Sequence, residues 1–347
     1  MMKKIKVSVV GGTGYTGVEL LRILSKHPKI EINHVTSRSD RGRPVSEVYP
    51  ALRGVLNHVF VDPDEAHLLD NDLVFFATPN GIAMQHAEKL LSQNVKVIDL
   101  AADFRIPEVS IWEEWYGMEH VCKNLINQAV YGLPEINRKK IKEANLVANP
   151  GCYPTAIQLG LLPLIIKDLI DVTTIIADAK SGISGAGRKN EIPYLMSEAN
   201  ESFRAYAVNG HRHTPEIEAQ LGYFTKNKKV KLSFVPHLIP MIRGIHATLY
   251  VDCVKTFDAY EIFNEFYKNE PFVDVLEKNL YPDTKSVRAS NLCRISLYQE
   301  PHSNRLIILS VIDNLVKGAA GQAVQNMNIM MGFDEIEGLD QIVPLVP

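Results

Sequence analysis

The chain has 347 residues, beyond the size at which a single hydrophobic core stops growing, so two domains are the default expectation. Its 46% hydrophobic and 22% charged content is that of a globular protein, and a formal net charge of -3 leaves no basic excess for nucleic acid or an anionic membrane. Four widely spaced cysteines without a CxxC pair argue against a disulfide framework or structural zinc, no apolar run approaches ~18 residues, and Lys3-Lys4 leads into a short strand unlike a signal peptide; a cytoplasmic protein is expected.

The first half alternates strands and helices. Ile5–Val10 reads as a strand, after which Gly11-Gly12-Thr13-Gly14-Tyr15-Thr16-Gly17 turns the chain into a helix over about 18–25. Gly12, Gly14 and Gly17 satisfy G-x-G-x-x-G, and Gly11, Gly14 and Gly17 the related G-x-x-G-x-x-G. Such a pattern is weak alone. Between a strand and a helix it gains weight, because glycines permit a tight turn and close backbone approach while the helix N-terminus receives a pyrophosphate. A glycine turn with no ligand is the plain alternative. A second strand over Ile30–Thr36 ends in Ser37-Arg38-Ser39, where an NAD site places Asp or Glu on the ribose 2′-hydroxyl. A hydroxyl and a guanidinium hold a 2′-phosphate by charge-assisted hydrogen bonds, so NADP(H) is expected over NAD(H), with Ser37 and Arg38 selecting it. Strands over 73–77 and 95–100 lead into Thr78-Pro79-Asn80-Gly81 and Ala101-Ala102-Asp103-Phe104-Arg105. Ligands of a doubly wound sheet gather at the carboxyl ends of its strands, which makes Arg105 a candidate anion clamp.

A β-branched, apolar stretch ends just before Asn149-Pro150-Gly151-Cys152-Tyr153-Pro154-Thr155. Pro150 and Gly151 bring the chain round and Pro154 sits where a helix begins, so a helix over about 154–169 is expected with Cys152 at its N-terminus. Unpaired N–H groups and the helix dipole there lower a thiol pKa from about 8.5 to as little as ~3.5–7.5. Cys122, Cys253 and Cys293 read instead as buried hydrophobes. A strand over 173–179 runs into Ser181-Gly182-Ile183-Ser184-Gly185-Ala186-Gly187-Arg188-Lys189, whose successive N–H groups suit an anion unless the loop is merely flexible. Residues 209–217 open another helix and carry His211 and His213, side chains suited to proton exchange near neutral pH. No Cys, Asp or Glu stands at a spacing that would make a metal site of them. Strands over 230–234, 244–253, 294–298 and 306–312 predict a mixed or antiparallel second sheet with helices on one face. In 313–328 small residues recur at helical spacing, which lets a helix pack closely on another backbone or a cofactor.

Taken together, these motifs resemble the N-acetyl-gamma-glutamyl-phosphate reductase family of the aspartate-semialdehyde dehydrogenase superfamily along essentially the whole chain. The resemblance rests on the glycine turn, on Asp99-Leu100-Ala101-Ala102-Asp103-Phe104-Arg105, on Tyr131-Gly132-Leu133-Pro134-Glu135 and on the segment around Cys152. It continues through 181–188, His211-Arg212-His213-Thr214-Pro215-Glu216-Ile217, residues 236–244 and 313–328. It implies an α/β fold: a Rossmann-type NADP-binding domain over 1–149 completed by a C-terminal helix of about 313–347, and an α+β catalytic and oligomerisation domain over 150–312. Cys152 matches the acyl-accepting cysteine and His211 the acid/base partner, with His213 as the other candidate. Arg105 and Glu216 match substrate-pocket positions, Arg188 and Asn149 are further substrate candidates, and Ser184, Gly185, Gly187 and Asn314 are expected near the nicotinamide.

The implied reaction is NADPH-dependent reduction of N-acetyl-L-glutamyl 5-phosphate to the semialdehyde through a Cys152 thioester, in arginine biosynthesis, by a homodimer or homotetramer. The same chemistry on aspartyl phosphate or the carrier-linked aminoadipyl phosphate of lysine biosynthesis is the alternative. Tyr153-Pro154-Thr155 favours the acetylglutamyl branch over the aspartyl one but does not separate the aminoadipyl branch. An idle dinucleotide sensor would not need the helix-terminal cysteine, and a dehydrogenase passing hydride directly to a carbonyl would not need the thiol.

Overall fold

The computed structural model describes residues 4–339, with Lys189, Asn227 and the side chain of Met196 excepted. The leader reading at Lys3, the cation at Lys189 and residues 340–347 of the expected closing segment therefore lie outside the described residues. The chain forms two compact units, one of residues 4–150 with 319–339 and one of residues 151–318.

In the first unit seven strands form one sheet, and every pairing in it is parallel: β1 Ile5–Val10, β2 Ile30–Thr36, β3 Phe60–Val61, β4 Leu73–Phe76, β5 Lys96–Asp99, β6 Val130–Tyr131 and β7 Leu146–Ala148, in the order β3-β2-β1-β4-β5-β7-β6. A parallel sheet is covered on both faces, and its inner strand β4 is correspondingly apolar throughout: Leu73, Val74, Phe75 and Phe76 are all fully buried. Helices α1 Tyr15–Leu24, α2 Ala83–Ser92 and α3 Pro134–Glu143 connect the strands. α1 starts at Tyr15 rather than at 18, because Gly17 belongs inside its first turn and not in the loop. A Cβ on Gly17 would stand 2.2 Å from the Gly11 carbonyl oxygen, so a glycine lets the helix start against the turn that feeds it. The two-residue strands β3 and β6 are too short to show any alternation in the sequence.

The second unit holds a mixed seven-stranded sheet: β8 Ile175–Gly182, β9 Arg204–Ala205, β10 Leu232–Ile239, β11 Ile245–Asp252, β12 Val273–Val275, β13 Cys293–Gln299 and β14 Arg305–Ile312, in the order β12-β13-β14-β11-β8-β10-β9. Burial alternates along β11, with Ile245, Ala247, Leu249 and Val251 on the covered face. That face packs on α4, Cys152–Ile166, which is buried from Tyr153 to Ile165 and hence apolar all round. Gly160 permits the close approach, since a Cβ there would meet Leu249 Cδ1 at 2.4 Å. The helix begins at Cys152, ahead of Pro154: a proline is tolerated anywhere in a first turn, where N–H groups have no intrahelical acceptor. Pro163, inside the same helix, has no N–H for the Leu159 carbonyl, and the hydroxyl of Tyr267 donates to that oxygen instead. Two further helices are α5 His213–Gly222 and α6 Ala259–Tyr267.

β8 runs on to Gly182 because Ser181 pairs with Leu238 on one side and Ile245 on the other, so only a short turn, Ile183–Ala186, remains of the expected loop start. After β14 a wide π-helical turn, Val316–Ala320, leads into α7 Gly321–Met331, which packs in the first unit on α1 and α3. No helix among the described residues is long and apolar enough to cross a membrane.

Candidate active site

The glycine turn after β1 assigns a different task to each glycine. Gly12 and Gly17 serve the chain's own packing, a Cβ on Gly12 standing 2.4 Å from Val35 Cγ1, and Gly11 sits at φ +90°. Around Gly14 there is space, the nearest atom to an added Cβ being the Gly11 carbonyl oxygen at 4.0 Å. Gly14 is also the N-cap of α1 and contributes no side-chain cap. An open glycine at the start of a helix, with the first-turn N–H groups of Tyr15 and Thr16 behind it, fits a dinucleotide pyrophosphate. Thr13 Oγ1 and Ser37 Oγ lie 3.3 Å apart, and Ser37 Oγ also meets Ser39 Oγ at 3.2 Å and accepts from Asp40 N at 3.2 Å. Ser37 is thus a buried knot between the glycine turn and the end of β2. Arg38 is exposed and pairs with Asp64 through two hydrogen bonds of 3.0 and 3.3 Å, with Asp62 at 3.8 Å. These carboxylates follow β3 directly, 24 and 26 positions beyond Arg38, where no local pattern in the sequence joins them to it.

The ends of β4 and β5 are tied together by Asp103, whose carboxylate accepts from Gly81 N at 2.7 Å and Met84 N at 3.1 Å, while Asn80 Oδ1 accepts from Ala102 N at 3.2 Å. Burial pushes the Asp103 and Asp99 carboxyl pKa values up. Arg105, buried beside them, donates Nε to the Asn149 carbonyl and Nη2 to the Leu100 carbonyl, both at 2.7 Å. Asn149 is itself fully buried, its Nδ2 donating to the Ala319 carbonyl at 3.1 Å and its Oδ1 accepting from Asn326 Nδ2 at 3.0 Å.

In the second unit Cys152 is the first residue of α4, after an extended Gly151 N-cap with no side-chain cap. The N–H of Gly151 donates to Glu216 Oε1 at 2.8 Å, so a carboxylate from α5 holds the residue that leads into the helix. Thr155 closes the turn, N and Oγ1 donating to the Gly151 carbonyl at 3.0 and 2.9 Å. From the π-helical turn Gly318 abuts the cysteine: a Cβ there would stand 2.7 Å from Cys152 Cβ. The thiol is half-buried and not in a disulfide. Burial pushes the thiols of Cys122 and Cys253 up.

His211, itself half-buried, lies against a cluster of aromatic rings in the same unit. Its ring meets those of Tyr153, Tyr206 and Phe234 edge-on at 5.7, 5.7 and 5.3 Å, and that of His213 at 4.8 Å. Burial, with the Arg212 charge adding to it, pushes the His211 pKa down to about 4. Its Nδ1 accepts the backbone N–H of His213 at 3.0 Å. Tyr206 and Phe234 lie 5 and 23 positions from His211 in a sequence with no periodic signal joining them, and only the fold brings them together.

Asn314 is buried and bridges two loops, its Nδ2 donating to Ser184 Oγ at 3.0 Å and its Oδ1 accepting from Gly244 N at 2.7 Å. Gly185 lies under Ser181, whose Oγ would stand 2.7 Å from an added Cβ, and Gly187 is open at φ +79°. Arg188 is exposed in the same loop. The two histidines, Cys152, Glu216, Asn314 and residues 184–188 thus all belong to the second unit, while the glycine turn, Ser37, Arg38, Arg105 and Asn149 belong to the first.

Two family descriptions match the chain: "Semialdehyde dehydrogenase, NAD binding domain" over residues 6–144 and "Semialdehyde dehydrogenase, dimerisation domain" over 152–314. The N-acetyl-gamma-glutamyl-phosphate reductases of Nitrosospira multiformis and Laribacter hongkongensis are each 57% identical over 343 residues, covering 99% of this chain and 100% of theirs. That of Nitrosomonas europaea is 56% identical with the same coverage. Among solved structures, aspartate semialdehyde dehydrogenase II of Vibrio cholerae superposes with a TM-score of 0.74 at 16% identity, over 95% of this chain and 99% of that one. Aspartate semialdehyde dehydrogenase with NADP from Candida albicans gives 0.68 at 15% identity, over the same shares. These two establish likeness of fold.

Proposed function

The chain belongs to the N-acetyl-gamma-glutamyl-phosphate reductase family, and on that premise we propose that it reduces N-acetyl-L-glutamyl 5-phosphate to N-acetyl-L-glutamate 5-semialdehyde and phosphate with NADPH. The observation that carries the chemistry is Cys152 as the first residue of a buried helix whose N-cap has no side-chain cap. Sγ attacks the acyl carbon, the C–O bond to phosphate breaks, and phosphate leaves with the electron pair and takes up a proton from water. The bound dinucleotide would supply hydride to the resulting thioester, which accepts it where a carboxylate would not. Cys152 then leaves as thiolate while the aldehyde C=O forms. Each tetrahedral stage places negative charge on the oxygen of the reacting carbon, and the N–H groups of the first turn of α4 together with His211 are its donors.

In this reading residues 1–149 with the returning C-terminal segment hold NADP(H), and 150–312 carry catalysis and oligomerisation. The open Gly14 supports the dinucleotide, held by Gly11 to Gly17. Arg38 selects the 2′-phosphate after turning away from Asp64, with Ser37 shaping the turn beneath it. Ser184, Gly185, Gly187 and Asn314 are the nicotinamide-side residues. Arg105 and Arg188 take the substrate anions, and Asn149 and Glu216 act through the backbone they hold. A homodimer or homotetramer, in the cytoplasm, completes the proposal. The half-buried outer face of β11, with His246, Thr248 and Tyr250, supports association through the second unit. Phosphate-dependent NADP⁺ reduction with N-acetylglutamate semialdehyde beside aspartate semialdehyde tests the substrate. A higher kcat/KM for aspartate semialdehyde would overturn it.

A further inference from the structure

Tyr206 directly follows the two-residue edge strand β9, and its N–H donates to the Pro236 carbonyl at 3.0 Å, which fixes its backbone against β10. The chain then reverses through Ala207 at φ +45°, a conformation a non-glycine residue adopts only where its surroundings impose it, and Gly210 N donates to the Ala207 carbonyl at 3.1 Å. The reversal brings the ring of His211 edge-on to Tyr206, and the rings of Tyr153 and Phe234 also meet it edge-on. The two phenols are linked: Tyr206 Oη donates to Tyr153 Oη at 3.2 Å, and Tyr153 Oη to the His237 carbonyl at 3.3 Å.

We propose that Tyr206 is a positioning residue for the reaction proposed above: it closes an aromatic cage that keeps His211 a neutral ring with its proton on Nε2, so that His211 donates a hydrogen bond to the oxyanion and does not act as an imidazolium acid. The inference rests on that reaction and goes beyond it in naming the form of the histidine and the residue that maintains it. Because Nδ1 accepts the His213 N–H, Nε2 is the nitrogen that carries hydrogen in the neutral ring. With burial holding the pKa at about 4, roughly one ring in a thousand is charged at pH 7. The titratable or charged groups on the surrounding elements are Cys152 and Tyr153 on α4, Arg212, His213 and Glu216 on its own segment, His237 on β10 and Tyr206 itself; Phe234 adds no charge. No proton leaves Nε2 in this scheme. It hydrogen-bonds the alkoxide at both tetrahedral stages, the alkoxide collapses by expelling first phosphate and then the Cys152 thiolate, and the proton consumed overall ends on phosphate.

The test is an NMR titration of ¹⁵N-histidine-labelled full-length protein from pH 3.5 to 8.5, with the His211 signals identified by their loss in His211→Gln. Wild type and Tyr206→Phe should show a neutral ring protonated at Nε2 throughout pH 5.5–8. Tyr206→Ala, which exposes more of the ring to water, should raise the midpoint by about one to two pH units and move the acid limb of kcat/KM by the same amount. A wild-type midpoint near 6.5, a proton on Nδ1, or an unmoved midpoint in Tyr206→Ala each overturns the proposal. The wild-type spectrum decides the charge and tautomer even if the alanine variant fails to fold, and Tyr206→Leu then repeats the opening of the cage. The spectra need no substrate, so a wild type that fails to turn over the acetylglutamyl substrate condemns the reaction and leaves the histidine assignment standing or falling by itself.

Discussion

The turn after β1 and the turn after β7 begin their helices alike and end in different chemistry. Both N-caps are extended glycines without a side-chain cap, Gly14 at φ −75°, ψ 163° and Gly151 at φ −67°, ψ 157°. What differs is the surroundings. Beside Gly14 an added Cβ would find nothing nearer than 4.0 Å, whereas Gly151 has its N–H taken by Glu216, and Gly318 abuts the residue that follows it. A helix start with unpaired donors suits a bound phosphate where the neighbours leave room. It suits a held nucleophile where they close in.

The sharpest test of that contrast is Cys152→Ala, which should lower acyl-phosphate-dependent NADPH oxidation by on the order of 10⁴-fold or more while leaving NADPH binding by fluorescence intact. His211→Ala comes next, with a loss of ~10²–10³-fold in kcat, the effect of removing one donor to the oxyanion. Two glycine variants then separate packing from ligand space. Gly17→Ala, driven against the Gly11 carbonyl, should cost about 3 kcal/mol in denaturant unfolding. Gly14→Ala should cost about 1 kcal/mol or less yet raise the KM for NADPH. Equal destabilisation of the two would break the comparison.

Stability should also respond to pH through His211. Its folded pKa of about 4 lies below the unfolded value of 6.5, so the unfolded chain binds the extra proton between them. The folded state is therefore fully favoured above pH 6.5 and loses stability as the pH falls towards 4, by about 2 kcal/mol at pH 5 from this group alone. His211→Gln should flatten the slope of unfolding midpoint against pH over that range. The smallest effect is expected at Arg38, which is exposed and already paired with Asp64. Arg38→Ala should lower the NADPH preference over NADH several-fold, and Asp64→Asn should raise it; an unchanged ratio in both would remove Arg38 from cofactor selection.

Much of the local architecture was legible in the sequence because its causes act over a few residues. Runs such as Ile5–Val10 and Ile30–Thr36 are rich in β-branched residues and bounded by turn-formers, and they are strands at those limits. The spacing of Gly12, Gly14 and Gly17 and the Pro150-Gly151 bend before Cys152 follow from sterics and from the unpaired donors at helix starts, both of which neighbouring residues decide. Boundaries shifted where a partner distant in the chain intervened. β8 reaches Gly182 because β10 and β11 pair with it, and α4 tolerates Pro163 because Tyr267 satisfies the carbonyl that the proline leaves bare.

The chain's own order of residues determined where the glycine turn, the cysteine and the histidine segment fall relative to strands and helices. Only the tertiary structure decided that Glu216 would hold Gly151, that Tyr153, Tyr206 and Phe234 would enclose His211, and that Asp64 would occupy Arg38. Burial and charge pairing are set by whichever groups packing brings within a few ångströms. Backbone sterics and helix-end hydrogen bonding are set within one turn of the chain.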